Sequence, residues 1–288
     1  MHLLTFLLLA DAVVSGSLMK GTEVLHGGDV TLRNSSVTVK APVDGDGKYS
    51  LSVPAGTYDV VIQRTMGGRK RTLVLNNLTV GDGPVDIDLF WPSSDTASGR
   101  SELVIQHHTA GRASFQAGRY AEAAAHFMEA IREDPSQEGI WGEMAVSHAM
   151  AGNFTQAEST YKVARAWGAG AATTSNMANA YYRAGKFGEA GAKYKEAAEI
   201  EPSKAGTYLA NAGAAYHAGR MGAEAEAAYK MAAQVPGASP ASWYFWGVMA
   251  QANGNRDDAL TALRGYLQAD GSGRYAADAR QRVSALGG

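Results

Sequence analysis

The chain has 288 residues, of which 45% are hydrophobic and 19% charged, with a formal net charge of −2 and no cysteine. A chain of this length can hold two domains of ordinary size. The nearly balanced charge excludes a strongly basic surface, so we expect no nucleic-acid partner. The lack of cysteine excludes disulfides, thiol catalysis and cysteine-ligated metals. The sequence also lacks an apolar run near the roughly 20 residues that span a bilayer.

The N-terminal segment, residues 1–10, is apolar and has two interpretations. Leu3–Ala10 has the character of a short signal-peptide core, which favours export to the periplasm, the outer surface or the medium. Against this, only Met1 and His2 precede it, and no clear Ala-x-Ala cleavage site follows. The alternative is an uncleaved lead-in to a first strand over Ala12–Leu18. We expect an extracytoplasmic protein.

Residues 11–92 alternate between apolar and polar side chains, which is typical of half-buried strands. Turn residues such as Asp44–Gly47 and Pro54–Gly56 separate the runs, and Arg69–Arg71 is interpreted as a hairpin tip. The sequence predicts an antiparallel β-sandwich followed by a polar linker. The predicted strands are Ala12–Leu18, Ser35–Ala41, Lys48–Val53, Thr57–Arg64, Arg71–Val80 and Val85–Phe90.

Two phrases in this region carry a family resemblance. Asp44–Leu51 reads DGDGKYSL and Val53–Val60 reads VPAGTYDV, and Val14–Gly16 matches the first strand of the same modules. The region resembles the carboxypeptidase-regulatory-like and B-type Cna modules, which share a transthyretin-like β-sandwich. The resemblance implies an accessory or spacer module on an extracytoplasmic protein, which supports export. It implies no particular ligand.

A glycine-led phrase returns five times in the rest of the chain. Its glycines are spaced by 34, 33, 34 and 35 residues, at Gly118, Gly152, Gly185, Gly219 and Gly254. A fixed period of this size is typical of stacked helical hairpins, each too small to bury its apolar face alone.

The residues around each glycine resemble the tetratricopeptide repeat. In the second helix, a small residue is followed by a large one four positions later, and an alanine stands three positions after the large one. Residues at this spacing lie on one face of a helix. The small residues are Ala123, Ala157, Ala190, Ala225 and Ala259, and the large ones Phe127, Tyr161, Tyr194, Tyr229 and Leu263. The first helix carries Trp141 and Trp243 at the aromatic position. Its small position is filled by Gly111, Ala145, Ala178, Ala212 and Gly247.

Three features depart from the repeat pattern. Gly168–Gly170 stands where proline is expected, Tyr266 stands where alanine is expected, and the fourth repeat has one extra residue, which we place near Gly222–Glu224. The predicted organisation is a lead-in (1–10), a β-sandwich (11–92), a linker (93–103), five repeats (104–137, 138–170, 171–204, 205–239 and 240–273) and a capping helix (274–288). The fold class is therefore a multidomain one, an antiparallel β-sandwich followed by an all-α repeat solenoid.

The polar residues do not form a recognisable catalytic or metal motif. His107 and His108 are adjacent and so face different sides of a helix, and the remaining histidines are scattered without an H-E-x-x-H pattern. The sequence has neither G-x-S-x-G nor a phosphate-binding G-x-x-x-x-G-K-[ST]. We expect neither an enzyme nor a bound cofactor or metal.

The resemblance to tetratricopeptide repeats implies a partner-binding groove lined by the first helices. The side chains that it places there include aromatic and basic residues, which are common at protein interfaces. An alternative for each tyrosine is that it packs between repeats. The predicted groove residues are Arg112, Phe115, Asn179, Tyr182, Arg183, Tyr216, His217, Tyr244 and Gln251, with His108, Gln116, Val146, Met150 and Leu209 beside them.

The sequence favours a non-catalytic scaffold or adaptor of a bacterial-type cell envelope that holds a partner peptide or helix in this groove. Two other hypotheses remain open at this stage. The protein could be a structural subunit that self-assembles through strand addition and repeat stacking, with Leu3–Leu9 as a donor strand. A weaker alternative is carbohydrate binding by the sandwich, through Tyr49, Tyr58 and Trp91.

Overall fold

The structure is a computed structural model that describes residues 11–66, 68–92 and 97–287. Within these ranges, nine β-strands precede eleven α-helices. This order confirms the predicted fold class, a β-sandwich followed by paired helices. The interpretations of residues 1–10, as a signal peptide, a lead-in or a donor strand, fall outside the described residues.

One sheet is built around the first strand, which has two antiparallel and two parallel neighbours. Its strands are β1 (Ala12–Lys20), β2 (Glu23–Val24), β5 (Lys48–Val53), β8 (Val85–Asp86) and β9 (Leu89–Phe90). The parallel pairing of β8 and β9 with β1 differs from the predicted antiparallel strand. The physical reason is that the chain reaches β8 by crossing from the other sheet, and a crossover permits parallel entry whereas a tight hairpin does not.

The other sheet has four antiparallel strands in the order β4–β3–β6–β7. They are β3 (Asp29–Arg33), β4 (Thr38–Pro42), β6 (Gly56–Met66) and β7 (Arg69–Val80). Gly68, with a φ of 75°, precedes β7, so Arg69–Arg71 begins at the hairpin tip as predicted. Buried side chains of both sheets, such as Leu18 and Ile62, belong to one hydrophobic core.

The helices form five hairpins and one further helix. In chain order they are α1 (Ala97–Gln116), α2 (Tyr120–Glu133), α3 (Glu138–Met150), α4 (Phe154–Ala166), α5 (Ala171–Arg183), α6 (Phe187–Ile200), α7 (Ala205–Ala218), α8 (Gly222–Gln234), α9 (Pro240–Ala252), α10 (Arg256–Ala269) and α11 (Ala276–Ala285). The close crossing within a hairpin depends on small residues. A Cβ built on Gly111 would lie 2.6 Å from the ring of Phe127, and Ala123 is fully buried.

A residue in the left-handed region stands at the centre of each hairpin turn. In four hairpins it is the glycine of the repeated phrase, but in the fourth it is Arg220, with a φ of 59°, while Gly219 has a φ of −78°. The predicted position of the extra residue, near Gly222–Glu224, is therefore wrong. The extra residue lies before the turn, in α7, which has 14 residues where α3, α5 and α9 have 13.

The same shift changes the small position of the fourth repeat. Gly213, not Ala212, lies under the large residue of the second helix, since a Cβ on Gly213 would come within 2.8 Å of the Tyr229 ring. The corresponding Cβ on Gly247 would come within 2.7 Å of Leu263. Residues of α7 that the sequence placed by counting from Gly219 are consequently displaced by one.

The chain divides into two compact units, Met1–Ala169 and Gly170–Gly288. In the first unit the sandwich and the first two hairpins share one core, because α4 lies against β7 and β8, and α2 lies against β9. Trp167, at the end of α4, is almost fully buried in this core together with Trp91. The predicted linker therefore connects two parts of one compact unit.

Candidate protein-binding surface

In the first unit, the predicted groove residues Arg112 and Phe115 lie on α1. An acidic residue of α3, Glu143, lies close to Arg112 and to the neighbouring His108. Nε2 of His108 and Nε of Arg112 lie 2.5 and 3.8 Å from the carboxylate oxygens of Glu143. Phe115 is half-buried, and its ring packs edge-on against Tyr120 with centroids 5.2 Å apart. Arg112 therefore joins neighbouring first helices, and it remains exposed while it does so.

In the second unit, α5 carries three predicted residues at its C-terminal end. The side-chain oxygen of Asn179 accepts a 2.6 Å hydrogen bond from the hydroxyl of Tyr194. Tyr182 is 41% exposed and packs edge-on against Phe187, with centroids 5.1 Å apart. Arg183 is exposed and has no ion pair with any residue that the structure describes. Two consecutive residues at the end of this helix thus expose an aromatic ring and a guanidinium group.

The fourth repeat shows the effect of the one-residue shift. Tyr216 is only 8% exposed, and its ring packs against α6, where a Cβ on Gly191 would lie 2.5 Å away. Burial raises the pKa of its hydroxyl. Leu209 is buried as well. Neither side chain offers much surface to a partner, whereas His217, one residue further on, is exposed.

In the fifth repeat, the final helix covers the predicted residues. The hydroxyl of Tyr244 donates to Asp278 of α11 at 2.7 Å, and the side-chain oxygen of Gln251 accepts from Arg282 at 2.7 Å. Arg282 also bonds Asp278 at 2.5 Å, and the rings of Tyr244 and Tyr275 stack at 4.1 Å. The α11 helix therefore contacts the fifth repeat through two residues that the sequence assigned to partner binding.

Comparison with known proteins identifies the helical region. Residues 114–174 and 175–242 each match a family model described as tetratricopeptide repeat. Residues 114–242 therefore carry tetratricopeptide repeats. Such repeats act in protein–protein interaction, and no catalytic family matches the chain. No curated protein matches it either.

Several solved structures are similar to part of this chain. PilF of Pseudomonas aeruginosa is 17% identical, with a TM-score of 0.40, over 66% of this chain and 90% of that one. MamA of Desulfovibrio magneticus RS-1 is 14% identical, with a TM-score of 0.41, over 58% and 92%. YrrB, described as a TPR protein with an unusual peptide-binding site, is 16% identical, with a TM-score of 0.42, over 64% and 95%.

The sequence analysis did not predict that Tyr229 and Tyr194, at equivalent positions, differ in their hydrogen bonds. Tyr229 stands at the large position of the second helix, where Tyr194 stands in the preceding repeat. The hydroxyl of Tyr194 bonds Asn179, but the equivalent of Asn179 in the fourth repeat is Ala214, and no residue that the structure describes bonds the Tyr229 hydroxyl. The sequence held this signal, because an asparagine is replaced by an alanine in register, but only the corrected alignment reveals it.

The described ranges contain no group of three or more histidine, aspartate or glutamate residues that could hold a metal ion. Among their helices, none combines the length and the apolar character that membrane crossing requires. The half-buried His148 has a pKa lowered by burial, and its ring nitrogen Nδ1 has no partner among these residues.

Proposed function

We propose that this protein is a non-catalytic scaffold that binds a partner peptide or helix at the first-helix faces of its tetratricopeptide repeats. The observation that carries the proposal is the exposure of Tyr182 and Arg183 on α5, where Arg183 has no ion pair within the described part of the chain. Tyrosine and arginine dominate interface energies when a partner buries them. His217 is exposed on the next first helix and extends this side of the second unit.

Affinity capture with matched variants tests the proposal. The bait is the full chain, and the test variant is Tyr182→Ala with Arg183→Ala. Tyr216 is left intact because it is buried, and its removal would disturb packing rather than recognition. The control is Met231→Ala, since Met231 is 45% exposed on a second helix. We expect the same partner with the wild type and the control and its loss with the double variant. A partner retained by the double variant would contradict the proposal.

We further propose that the protein works in the bacterial cell envelope, outside the cytoplasm. Two features of the sequence support this: the apolar segment Leu3–Ala10 and the resemblance of residues 11–92 to modules of extracytoplasmic proteins. N-terminal sequencing of the protein isolated from its native cells, after fractionation, tests the proposal. A chain that starts beyond residue 10 in an envelope or secreted fraction is expected. A chain that keeps Met1 in the cytoplasmic fraction would refute it.

Self-assembly is the second candidate, and one observation favours it. Strand β7 has 12 residues and lies at the edge of its sheet, and among the described strands it pairs only with β6. A long edge strand can add a strand from another chain, although Lys70 and Arg71 at its start oppose such pairing. Light scattering distinguishes the two candidates. A mass that grows with concentration favours assembly, and a constant mass of 30.2 kDa favours the scaffold.

A further inference from the structure

A cavity of about 590 Å³ opens on the outer face of the first sheet, where strands β5, β1 and β8 lie side by side. Its volume falls within the range of small-molecule sites, about 300–1,000 Å³. The residues that line it alternate along the strands with buried core residues such as Val14, Leu51 and Ile87. The polar side chains of the lining include Ser15, Ser17, Lys48, Ser50, Asp86 and Asp88. This part of the sandwich surface is therefore both concave and polar.

The register of the strands fixes the arrangement of these side chains. Ser15 of β1 pairs with Ser50 of β5 on one side and with Asp86 of β8 on the other. Two residues further along β1, Ser17 pairs with Lys48. The serine hydroxyls, which both donate and accept hydrogen bonds, therefore lie between the strand that carries an ammonium group and the segment that carries carboxylates.

Two carboxylates of the lining are held by main-chain amides. Oδ1 of Asp88 accepts a 2.9 Å hydrogen bond from the amide of Ser17. Oδ1 of Asp44 accepts hydrogen bonds from the amides of Asp46 and Lys48, at 2.9 and 2.8 Å. Within the described residues, the second oxygen of each carboxylate has no hydrogen bond or ion pair. Acceptors that are already fixed in place lose little conformational freedom when a ligand binds.

The lining carries groups of both charges as well as hydroxyls. Lys48 adds a positive charge to the cavity, and its ammonium has no ion pair among the described residues. The carboxylates of the cavity do not form a metal site, since no group of three metal-binding side chains occurs in the described ranges. A ligand that satisfies hydroxyls, carboxylates and an ammonium at once has to donate and accept several hydrogen bonds. Hydroxyl groups do both.

Apolar side chains contribute little to this cavity. Among the described lining residues, only Ala41 and Pro42 have an aliphatic side chain, so a peptide with large apolar anchors finds few partners here. The sequence analysis based carbohydrate binding on three aromatic residues, Tyr49, Tyr58 and Trp91. Their side chains are buried, with 3, 1 and 5% exposure, so their rings do not stack on a ligand. Recognition in this cavity therefore depends on hydrogen bonds.

We propose that this cavity binds a saccharide that is neutral or carries an amino group. Asp86 and Asp88 accept hydrogen bonds from its hydroxyls, while Lys48 and Ser50 donate to its other oxygens. The lining has three carboxylates and one ammonium, so its charge disfavours acidic sugars. The inference goes beyond the scaffold function, because it gives the protein a second class of ligand on a module distinct from the tetratricopeptide repeats.

The test applies the full chain to an array of immobilised oligosaccharides that includes neutral, amino and uronic-acid sugars. The soluble form of the best-bound oligosaccharide is then titrated by calorimetry against the wild type, Asp88→Asn and Asp82→Asn. Asp88→Asn keeps an acceptor oxygen for the Ser17 amide but loses the charge, so we expect binding weakened about tenfold with an unchanged melting temperature. Asp82→Asn makes the same change at an exposed residue outside the cavity and should bind as the wild type does.

Four outcomes would overturn the inference: no saccharide is bound, only uronic-acid sugars are bound, Asp88→Asn binds as tightly as Asp82→Asn, or spermidine binds while every saccharide fails. The last outcome would identify the cavity as a patch for simple cations. Saccharide binding should not change with Tyr182→Ala and Arg183→Ala, because these residues and the cavity lie in different units. The saccharide site and the scaffold function can therefore fail independently.

Discussion

The two compact units are stabilised by cores of different design. In Met1–Ala169, large side chains of strands and helices, such as Leu18, Phe127 and Trp167, belong to one continuous core. In Gly170–Gly288 the apolar residues include distinct clusters, one around Leu209 and another around Tyr244. Stacked repeats depend on each other only through neighbouring interfaces, so damage to one can remain local. We expect the destabilisation caused by a core substitution to spread through the first unit, and to stay near the substituted residue in the second.

Trp167→Ala should have the largest effect. Trp167 is 1% exposed and lies in the core that joins α4 to the sandwich. Its truncation should lower the free energy of unfolding by about 3–5 kcal/mol. Amide hydrogen exchange should show faster exchange in β7 and β8 as well as in α4, because these elements are in contact.

Trp246→Ala is the matched change in the second unit, where Trp246 is 3% exposed. We expect a similar cost, but faster exchange only in α9, which carries Trp246, and in α8 and α10, which pack against α9. If Trp167→Ala left the strands protected, the sandwich and the first hairpins would be independent. The comparison between the units would then fail.

Gly213→Ala should have the next largest effect, and it tests the corrected register of the fourth repeat. A Cβ at this position would come within 2.8 Å of the Tyr229 ring, which is held by Phe245 and cannot move freely. Overpacking of this kind costs about 1–3 kcal/mol. The control is Gly139→Ala in α3, where a Cβ meets nothing within 4 Å and the higher helix propensity of alanine should stabilise by up to about 1 kcal/mol. Chemical denaturation measures both, and a neutral Gly213→Ala would restore Ala212 as the small position.

Local patterns in the sequence were sufficient to predict most of the fold. Period-two alternation located most of the strands, but it missed β2 and β3, which have no predicted counterpart. Glycine and aspartate located the turns, and the recurrence of glycine located the hairpins. The parallel pairing of β8 and β9 was not predictable, because it depends on a crossover between sheets that no short pattern records. Elements that depend on neighbouring residues were thus predictable, whereas pairing between distant strands was not.

The candidate surface was predictable only in part, for a more specific reason. Gly219 matches the repeated phrase, yet the left-handed residue is Arg220. Counting from the glycine therefore assigned Tyr216 to the groove, although its side chain is buried. The Tyr194–Asn179 hydrogen bond also has no counterpart between Tyr229 and Ala214 in the fourth repeat. This difference can be seen in the sequence only after the register of α7 has been corrected.

A smaller effect is expected at the cap. Hydrogen bonds from Arg282 and then Tyr244 lower the pKa of Asp278. A carboxyl with a lowered pKa contributes stability above its unfolded pKa of about 3.9 and loses it as the pH falls through the folded value. Because this pair is partly exposed, Asp278→Asn should cost only about 0.5–1 kcal/mol at pH 7.

Melting temperatures of the wild type and Asp278→Asn should therefore differ at pH 7 and converge as the pH falls through the lowered pKa of Asp278. Asp257→Asn is the control, since that side chain is 98% exposed and should change stability by less than about 0.5 kcal/mol at either pH. A pH-independent difference for Asp278→Asn would mean that the carboxylate charge does not hold α11 in place. The cap would then depend on the stacking of Tyr244 and Tyr275 alone.

The smallest effect is expected from Arg220→Gly. Arg220 has a φ of 59°, in the left-handed region, where four other hairpin turns have glycine. Glycine adopts this conformation without a Cβ clash, but it also has more freedom in the unfolded chain, so we expect a net gain of only about 0.5 kcal/mol. Arg220→Ala separates the backbone from the charge, because alanine keeps the clash and loses the guanidinium. A gain with glycine and none with alanine would assign the effect to backbone strain at this turn, and equal gains would assign it to charge. The repeats would then differ at this turn in their electrostatics and not in their geometry.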